Sequence, residues 1–253
     1  MERPGILAEI TRRLAAARRV FVLTGAGLGV ASGLSTFRGP DGYWRNRSFE
    51  QLASLDGFRA DPELVWTWYN ERIAAYLAAA PNAGHLALAA LQDLVPRIAI
   101  ATQNVDGLQS RAGSRNVLEI HGSIFDIKCT GSCVSRGTPF ERLDGPFNPA
   151  RLRHEGCDGM RRPGVVWFGE ALPEDALREA QSESRQADVI LVAGTSAQVE
   201  PAAGLARKYR GQTAVVEINP APALRRYTNL VLEESSETGL PAIVAALREI
   251  RRG

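Results

Sequence analysis

No stretch of this chain approaches the roughly 18 to 20 consecutive apolar residues that a membrane-crossing helix requires. No transmembrane span and no membrane partner are therefore expected. Charge of one sign is not in excess either: 30 Lys and Arg stand against 28 Asp and Glu, a net charge of +2. The arginines are spread along the chain, without the clustered basic face of a nucleic-acid binder. The densest group, Arg12, Arg13, Arg18 and Arg19, falls at helical spacing and reads as a solvated helix face. Cysteine is scarce. Cys129, Cys133 and Cys157 are too few and too unevenly placed for a disulfide framework, and in a cytosolic chain close cysteine spacing points to metal instead. Glu2, Glu9 and several arginines precede the first apolar run, which argues against a secretory signal; the expected location is the cytoplasm. Internal repeats and low-complexity segments are also missing.

What is present suits one sizeable α/β domain, or one domain carrying an insertion: 253 residues, 45% of them hydrophobic. Ile6, Leu7, Ile10, Leu14 and Ala17 predict a helix over 4–18. Val20–Leu23 reads as a buried parallel strand. Further strands are predicted at 97–101, 117–120, 165–168, 188–193 and 213–218, with a short one around Val231. Helices are predicted at 61–80, where Asp61 caps ahead of Pro62, and at 83–94, 173–186, 202–209 and 239–251. Strands alternating with helices indicate a parallel sheet of Rossmann type. Residues 37–46 read as loop, and residues 128–162, rich in Gly, Pro, Arg and Cys, as an insertion that needs a staple.

A strand running into Gly25-Ala26-Gly27 and then a helix is a common cradle for a dinucleotide pyrophosphate, because glycine lets backbone approach and the helix N-terminus offers N–H groups. A bare GxG fits a tight turn without ligand equally well. The acidic residue that holds the ribose about 20 residues further on in a dehydrogenase is missing; that region is the loop around Trp44. This argues against a plain Rossmann dehydrogenase.

Five motifs in order carry a more specific signal: GAGLGVASGLSTFRG at 25–39, TQNVD at 102–106, His121-Gly122, VVWFGE at 165–170 and GTS at 194–196. Together they resemble the sirtuin family over residues 20 to 245. The resemblance implies NAD as co-substrate and acylated proteins as partners. It implies a large Rossmann-type domain (1–38, 91–125 and 163–253) and a small domain (39–90 and 126–162). Gly25, Ala26 and Gly27 would hold the pyrophosphate, with Thr36, Phe37 and Arg38 in the loop closing over NAD. Gln103, Asn104 and Asp106 would line the nicotinamide and ribose pocket. Gly194, Thr195, Ser196 and Asn219 would hold phosphate and the adenosine ribose. Val165, Trp167, Phe168 and Gly169 would grip the acyl-lysine. His121, with Asn104, would be catalytic. In the implied reaction the acyl oxygen attacks C1′ of the ribose, nicotinamide leaves, and a ribose hydroxyl then attacks the acyl carbon, a step that needs a base active near neutral pH, as imidazole is. Lysine, nicotinamide and O-acyl-ADP-ribose would result.

The family commonly carries two cysteine pairs binding structural zinc. Here Cys129 and Cys133 are one residue wider apart than usual, and His154 stands two residues before Cys157. Cys129, Cys133, His154 and Cys157 would make an accepted Cys₃His zinc set; the alternative is a module that has lost its metal. Tyr69 and Arg72 share a face of the predicted helix at 61–80 and resemble the Tyr-x-x-Arg signature of sirtuins that prefer malonyl, succinyl or glutaryl lysine. Arginine can grip a carboxylate with two hydrogen bonds and tyrosine adds a third donor; the alternative is a solvated helix face. Acetyl removal is expected alongside. Gly29 replaces a common Ser, and Gly164 a common His. A mono-ADP-ribosyltransferase on the same fold, or a non-catalytic sensor of NAD or ADP-ribose, are the rival readings. His121-Gly122 and the Tyr69/Arg72 pair argue against the first, and intact Asn104, Asp106 and His121 against the second.

Overall fold

The computed structural model describes residues 2–36, 43–44, 47–133, 138–207 and 213–252. Six apolar segments form one parallel sheet: β1 (Arg19–Thr24), then, past β2 (Tyr43–Trp44) and β3 (Arg47–Ser48), β4 (Arg97–Thr102), β5 (Val117–Glu119), and, past β6 (Asp126–Cys129), β7 (Glu141–Arg142) and β8 (Arg161–Pro163), β9 (Val189–Ala193), β10 (Ala214–Ile218) and β11 (Leu230–Leu232). The strand order is β11-β10-β9-β1-β4-β5. Both faces are buried, as the unbroken apolar runs require. Val20 and Val22 of β1, Val189 and Leu191 of β9, and Val216 of β10 face one core. Their alternates Phe21, Leu23, Ile190, Val192 and Val215 face another, following the two-residue period of a strand.

Helices α1 (Arg3–Ala16), α5 (Ala83–Leu91) and α9 (Ser236–Arg252) cover the first face through Ile10, Leu14, Leu88, Leu91, Ile243 and Leu247. On the second face, α7 (Glu174–Gln186) and α8 (Gly204–Arg207) contribute Ala180, Leu205 and Ala206. Truncating a core leucine such as Leu191 to alanine costs about 2–5 kcal/mol. Between β4 and β5 lies the short α6 (Leu108–Arg111).

A third core lies off the sheet. It is built by α2 (Phe49–Leu52), α3 (Leu55–Ala60), α4 (Pro62–Ala78) and the antiparallel sheet β7-β6-β8. Asp61 Oδ1 accepts from Leu64 N at 3.0 Å, with Pro62 opening the helix, a cap that contributes about 1 kcal/mol. Trp66 stacks on Phe147 with centroids 3.9 Å apart, and its indole donates to the Arg161 carbonyl at 3.0 Å.

Three expectations are corrected. Residues 165–168 are not a strand. The nearby strand is β8, antiparallel to β6, and the N–H groups after it go to three separate partners: Gly164 to Asp126 O, Val166 to His121 O and Phe168 to Ala53 O. Among the described residues no neighbouring strand supplies a ladder to 165–168, so the apolar run is an anchored extended segment. Helix α5, expected in the small domain, packs on the main sheet because Ala87, Leu88 and Leu91 join its core. The turn after β1 runs into a 3₁₀ helix, Ala26–Ser32, closed by Gly33 at φ +81°; its glycines at 27 and 29 disfavour an α-helix. The helix expected at 202–209 is seen as α8, and residues 208–212 lie outside the described residues. Among the described residues no single helix is long and apolar enough to cross a membrane.

Candidate active site

A cleft of about 590 Å³ opens at the C-terminal ends of the parallel strands, the usual ligand position in such sheets. Strands β1, β4 and β5 run to one side and β9, β10 and β11 to the other, so the order reverses between β1 and β9. There the turn after β1 meets the turn after β9. The fit is so close that only glycine is accommodated. A Cβ on Gly25 would lie 2.6 Å from Thr195 Cβ, one on Gly27 would lie 2.8 Å from Gly194 O, and one on Gly194 (φ +63°) 2.4 Å from Leu28 N. Gly27 N donates to Gly194 O at 2.7 Å, so these glycines let two loops close on each other at the bottom of the cleft. The next residues tie the strand ends together. Gln103 Nε2 donates to Thr195 Oγ1 at 2.9 Å, and Asn219 Nδ2 to Thr195 O at 3.1 Å. The cleft is within the volume range of small-molecule sites.

Among the described residues, every position assigned from sequence to NAD, catalysis or acyl-lysine borders this cleft except Asp106. Phe37 and Arg38 lie outside the described residues. Asp106 is buried beside a small second void shared with His85, Gln109 and Glu119. Its Oδ1 accepts from Leu108 N at 2.8 Å. Burial raises its pKa, against the pull of Leu108 N and of Arg72 and Arg111. Asn104, also buried, donates from Nδ2 to Gly25 O at 3.0 Å.

His121 follows β5 at the cleft wall, its Nδ1 3.0 Å from the Gln103 carbonyl oxygen. A carbonyl only accepts, so Nδ1 carries the hydrogen and Nε2 keeps its lone pair. Burial lowers the imidazole pKa, opposed by the Gln103 carbonyl. The ring is therefore held as a neutral base.

One turn apart on α4, Tyr69 and Arg72 reach the same cleft. Tyr69 is buried and accepts from Trp167 Nε1 at 2.9 Å. Burial raises the phenol pKa, which keeps its proton in place. The Arg72 guanidinium lies 5.1 Å from the Trp68 ring centroid and 5.2 Å from that of Tyr76, and donates to the Tyr76 hydroxyl. Sequence reasoning missed Trp68 and Ala53 in this wall, and Ser235, Ser236 and Glu237 at the start of α9. No local pattern marks them, because distant segments bring them to the cleft.

Apart from the cleft, Cys129, Cys133, His154 and Cys157 place their donor atoms within 4.8 Å of one another. Cys129 Sγ is 3.5 Å from Cys157 Sγ, and Cys133 Sγ 3.6 Å from His154 Nδ1. A zinc tetrahedron with sulfur legs of about 2.3 Å has edges of about 3.8 Å, so the set fits that ion. Gly131 N and Gly159 N donate to Cys129 Sγ and Cys157 Sγ at 3.3 and 3.4 Å; burial pushes the Cys129 thiol pKa up, against the pull of the Gly131 N–H. A Cβ on either glycine would come within 2.5 Å of a cysteine sulfur. The wider cysteine spacing and the histidine thus converge on one point.

Residues 25–201 match the Sir2 family. An NAD-dependent protein deacylase of Pyrococcus furiosus is 42% identical over 251 residues, covering 98% of this chain and 100% of that relative. A solved Sir2 homolog–NAD complex superposes with a TM-score of 0.88 at 40% identity, over 96% of this chain and 94% of the other. A Sir2–p53 peptide–NAD+ complex does so with a TM-score of 0.79 at 30% identity, over 97% of each chain.

Proposed function

The chain belongs to the Sir2 family and is an NAD-dependent protein deacylase; on that premise we propose that it acts in the cytoplasm and prefers lysines carrying succinyl, malonyl or related acidic acyl groups, with acetyl removal alongside. The observation that carries the preference is the pairing of a guanidinium and a buried, protonated phenol one helical turn apart at the cleft wall. An acetyl group has no use for either donor. A terminal carboxylate uses both, in charge-assisted hydrogen bonds. The peptide relative in the Sir2–p53 complex supports protein substrates.

NAD, when bound, supplies the ribose carbon that takes the acyl oxygen. The chain's own residues do the rest. Gly25, Ala26, Gly27 and Gly194 to Ser196 shape the floor for its phosphates, with Thr36 beside them and Asn219 toward the adenosine ribose. Gln103 and Asn104 hold the ribose side, and Asp106 lies behind them, off the cleft, where its carboxylate accepts from Leu108 N. His121 takes a proton at Nε2 from the attacking hydroxyl. Val165, Trp167, Phe168 and Gly169 wall the lysine methylenes. Cys129, Cys133, His154 and Cys157 would hold zinc as a structural staple, since four filled positions leave none for water. The sheet forms the larger part of the molecule, and α2–α4 with the metal module the smaller; substrates meet between them.

The test follows free lysine peptide and O-acyl-ADP-ribose by mass spectrometry, with NAD and matched succinyl and acetyl peptides. Faster desuccinylation supports the reading, and faster deacetylation removes the acyl preference. Loss of NAD without deacylated peptide would assign ADP-ribosyl transfer, and no turnover a sensor.

A further inference from the structure

Arg162 is 4% exposed and has no role in the chemistry above, yet it makes a dense set of contacts. Its guanidinium lies 3.5 Å from the centroid of the Trp167 ring. Nη2 donates to Val165 O at 2.7 Å and to Glu170 Oε2 at 2.9 Å, and Nε to Pro163 O at 3.1 Å. A second guanidinium nitrogen, Nη1, pairs with Glu170 Oε1. Glu170 Oε2 in turn accepts from Trp167 N at 2.8 Å. One ion pair thus holds the backbone of the 163–167 segment at three points and caps the indole face. Burying a charge is costly unless it is paired, and such a pair is often kept for the geometry it imposes rather than for stability.

The geometry imposed here ends on Tyr69. The fixed indole points Nε1–H at the Tyr69 oxygen, 2.9 Å away. A phenol both donates and accepts. Its acceptor side is occupied by Trp167, and among the described residues its own proton has no acceptor. We propose that Arg162 and Glu170 are positioning residues for acyl selection: they fix the Trp167 indole, whose N–H occupies the Tyr69 oxygen and commits that phenol to donate its proton to an acidic acyl group beside Arg72. The inference rests on the acyl preference proposed above and assigns it two residues outside the cleft's recognised donors.

The readout is the ratio of kcat/KM for succinyl to acetyl peptide. A merely structural role lowers both terms by one factor, through the folded fraction, and leaves the ratio unmoved. Trp167→Phe keeps a ring and removes the N–H. It is expected to lower the ratio roughly 5- to 10-fold through KM, the size of one lost neutral hydrogen bond. In a Tyr69→Phe background the same change is expected to leave the ratio where Tyr69→Phe alone puts it. Glu170→Gln preserves shape and breaks the ion pair; a fall in the ratio in the same direction, with kcat for succinyl peptide retained, supports the clamp. Arg162→Met should act likewise, and if it does not fold, Glu170→Gln carries the test. A wild-type enzyme that favours succinyl peptide, with an unchanged ratio in Glu170→Gln or with additive Trp167 and Tyr69 effects, overturns this inference alone. A wild-type enzyme without succinyl preference overturns the acyl reading and this inference with it.

Discussion

Replacing Arg72 with methionine removes the charge that the acyl preference depends on while keeping an unbranched apolar stem beside Trp68. A hydrogen bond to a charged group contributes about 1.5–3 kcal/mol, and each 1.36 kcal/mol is tenfold in rate. The kcat/KM for succinyl peptide is therefore expected to fall roughly 10- to 150-fold. Acetyl peptide offers Arg72 no carboxylate. What it loses is indirect: the guanidinium's contact with the Trp68 and Tyr76 rings, of the order of 0.5–1 kcal/mol at a partly exposed site, so its kcat/KM should fall by less than about fivefold. Arg72→Met also strips the Tyr76 hydroxyl of its donor, so thermal melts should accompany the kinetics to keep both proteins fully folded at the assay temperature. Initial rates with the two peptides, at saturating NAD, give the comparison. Equal losses on both peptides, or no loss on succinyl peptide, would refute Arg72 as the carboxylate anchor.

The base role of His121 predicts that His121→Ala lowers kcat by about 10²–10⁴ without changing the circular dichroism spectrum; near-wild-type turnover would remove the role. Because burial holds the imidazole pKa below its usual 6.5, the neutral base persists below pH 6.5, and activity should fall only as pH drops through the lowered value; an acid limb at or above 6.5 in a pH–rate profile would contradict this. His85 is buried at the start of α5, with Nδ1 accepting from Asn82 N at 3.3 Å, and burial lowers its pKa to about 4. The folded value lies below the unfolded one near 6.5, so the unfolded chain binds protons first. Up to about 3 kcal/mol of stability present above pH 6.5 should be lost as pH falls toward 4, and His85→Gln should flatten urea midpoints across that window; an unaltered slope would discard the assignment. For the metal module, plasma emission spectroscopy should find one zinc per chain, lowered in Cys129→Ser and in His154→Ala, with a chelator lowering the melting temperature. Full zinc content in His154→Ala would take the histidine out of the ligand set.

Much of this molecule is legible along the chain because its signals are local. The alternation of Val20, Phe21, Val22 and Leu23 needs no partner to announce a strand buried on both faces. Asp61 before Pro62 announces a helix start by its own side-chain reach. Glycines at 25 and 27 announce a place where backbone must come close, although the partner turned out to be Gly194 as much as a ligand. A parallel sheet then places the residues that follow β1, β4, β5, β9 and β10 at one end, so residues as far apart in sequence as Gln103 and Thr195 become neighbours without further instruction. The 165–168 run was misleading for the same reason. Its apolar pattern announces burial, which holds for Val165 and Trp167 but not for the exposed Phe168, and among the described residues no strand lies alongside it.

The amino-acid sequence by itself determined the Rossmann-type sheet, the cleft's position at its C-terminal end and the residue types that line it, because periodicity, glycine and capping act over a few residues. Only the tertiary structure decided which nitrogen of His121 is the base, since that depends on the Gln103 carbonyl arriving from another strand. The same holds for α5, which joins the main sheet, and for the convergence of Cys129, Cys133, His154 and Cys157. It holds also for Tyr69, which shows the cleft a proton because Trp167 comes from far along the chain to occupy its oxygen. A hydrogen bond's partner is set by which segments the packed cores bring side by side, and no short window of sequence contains that information.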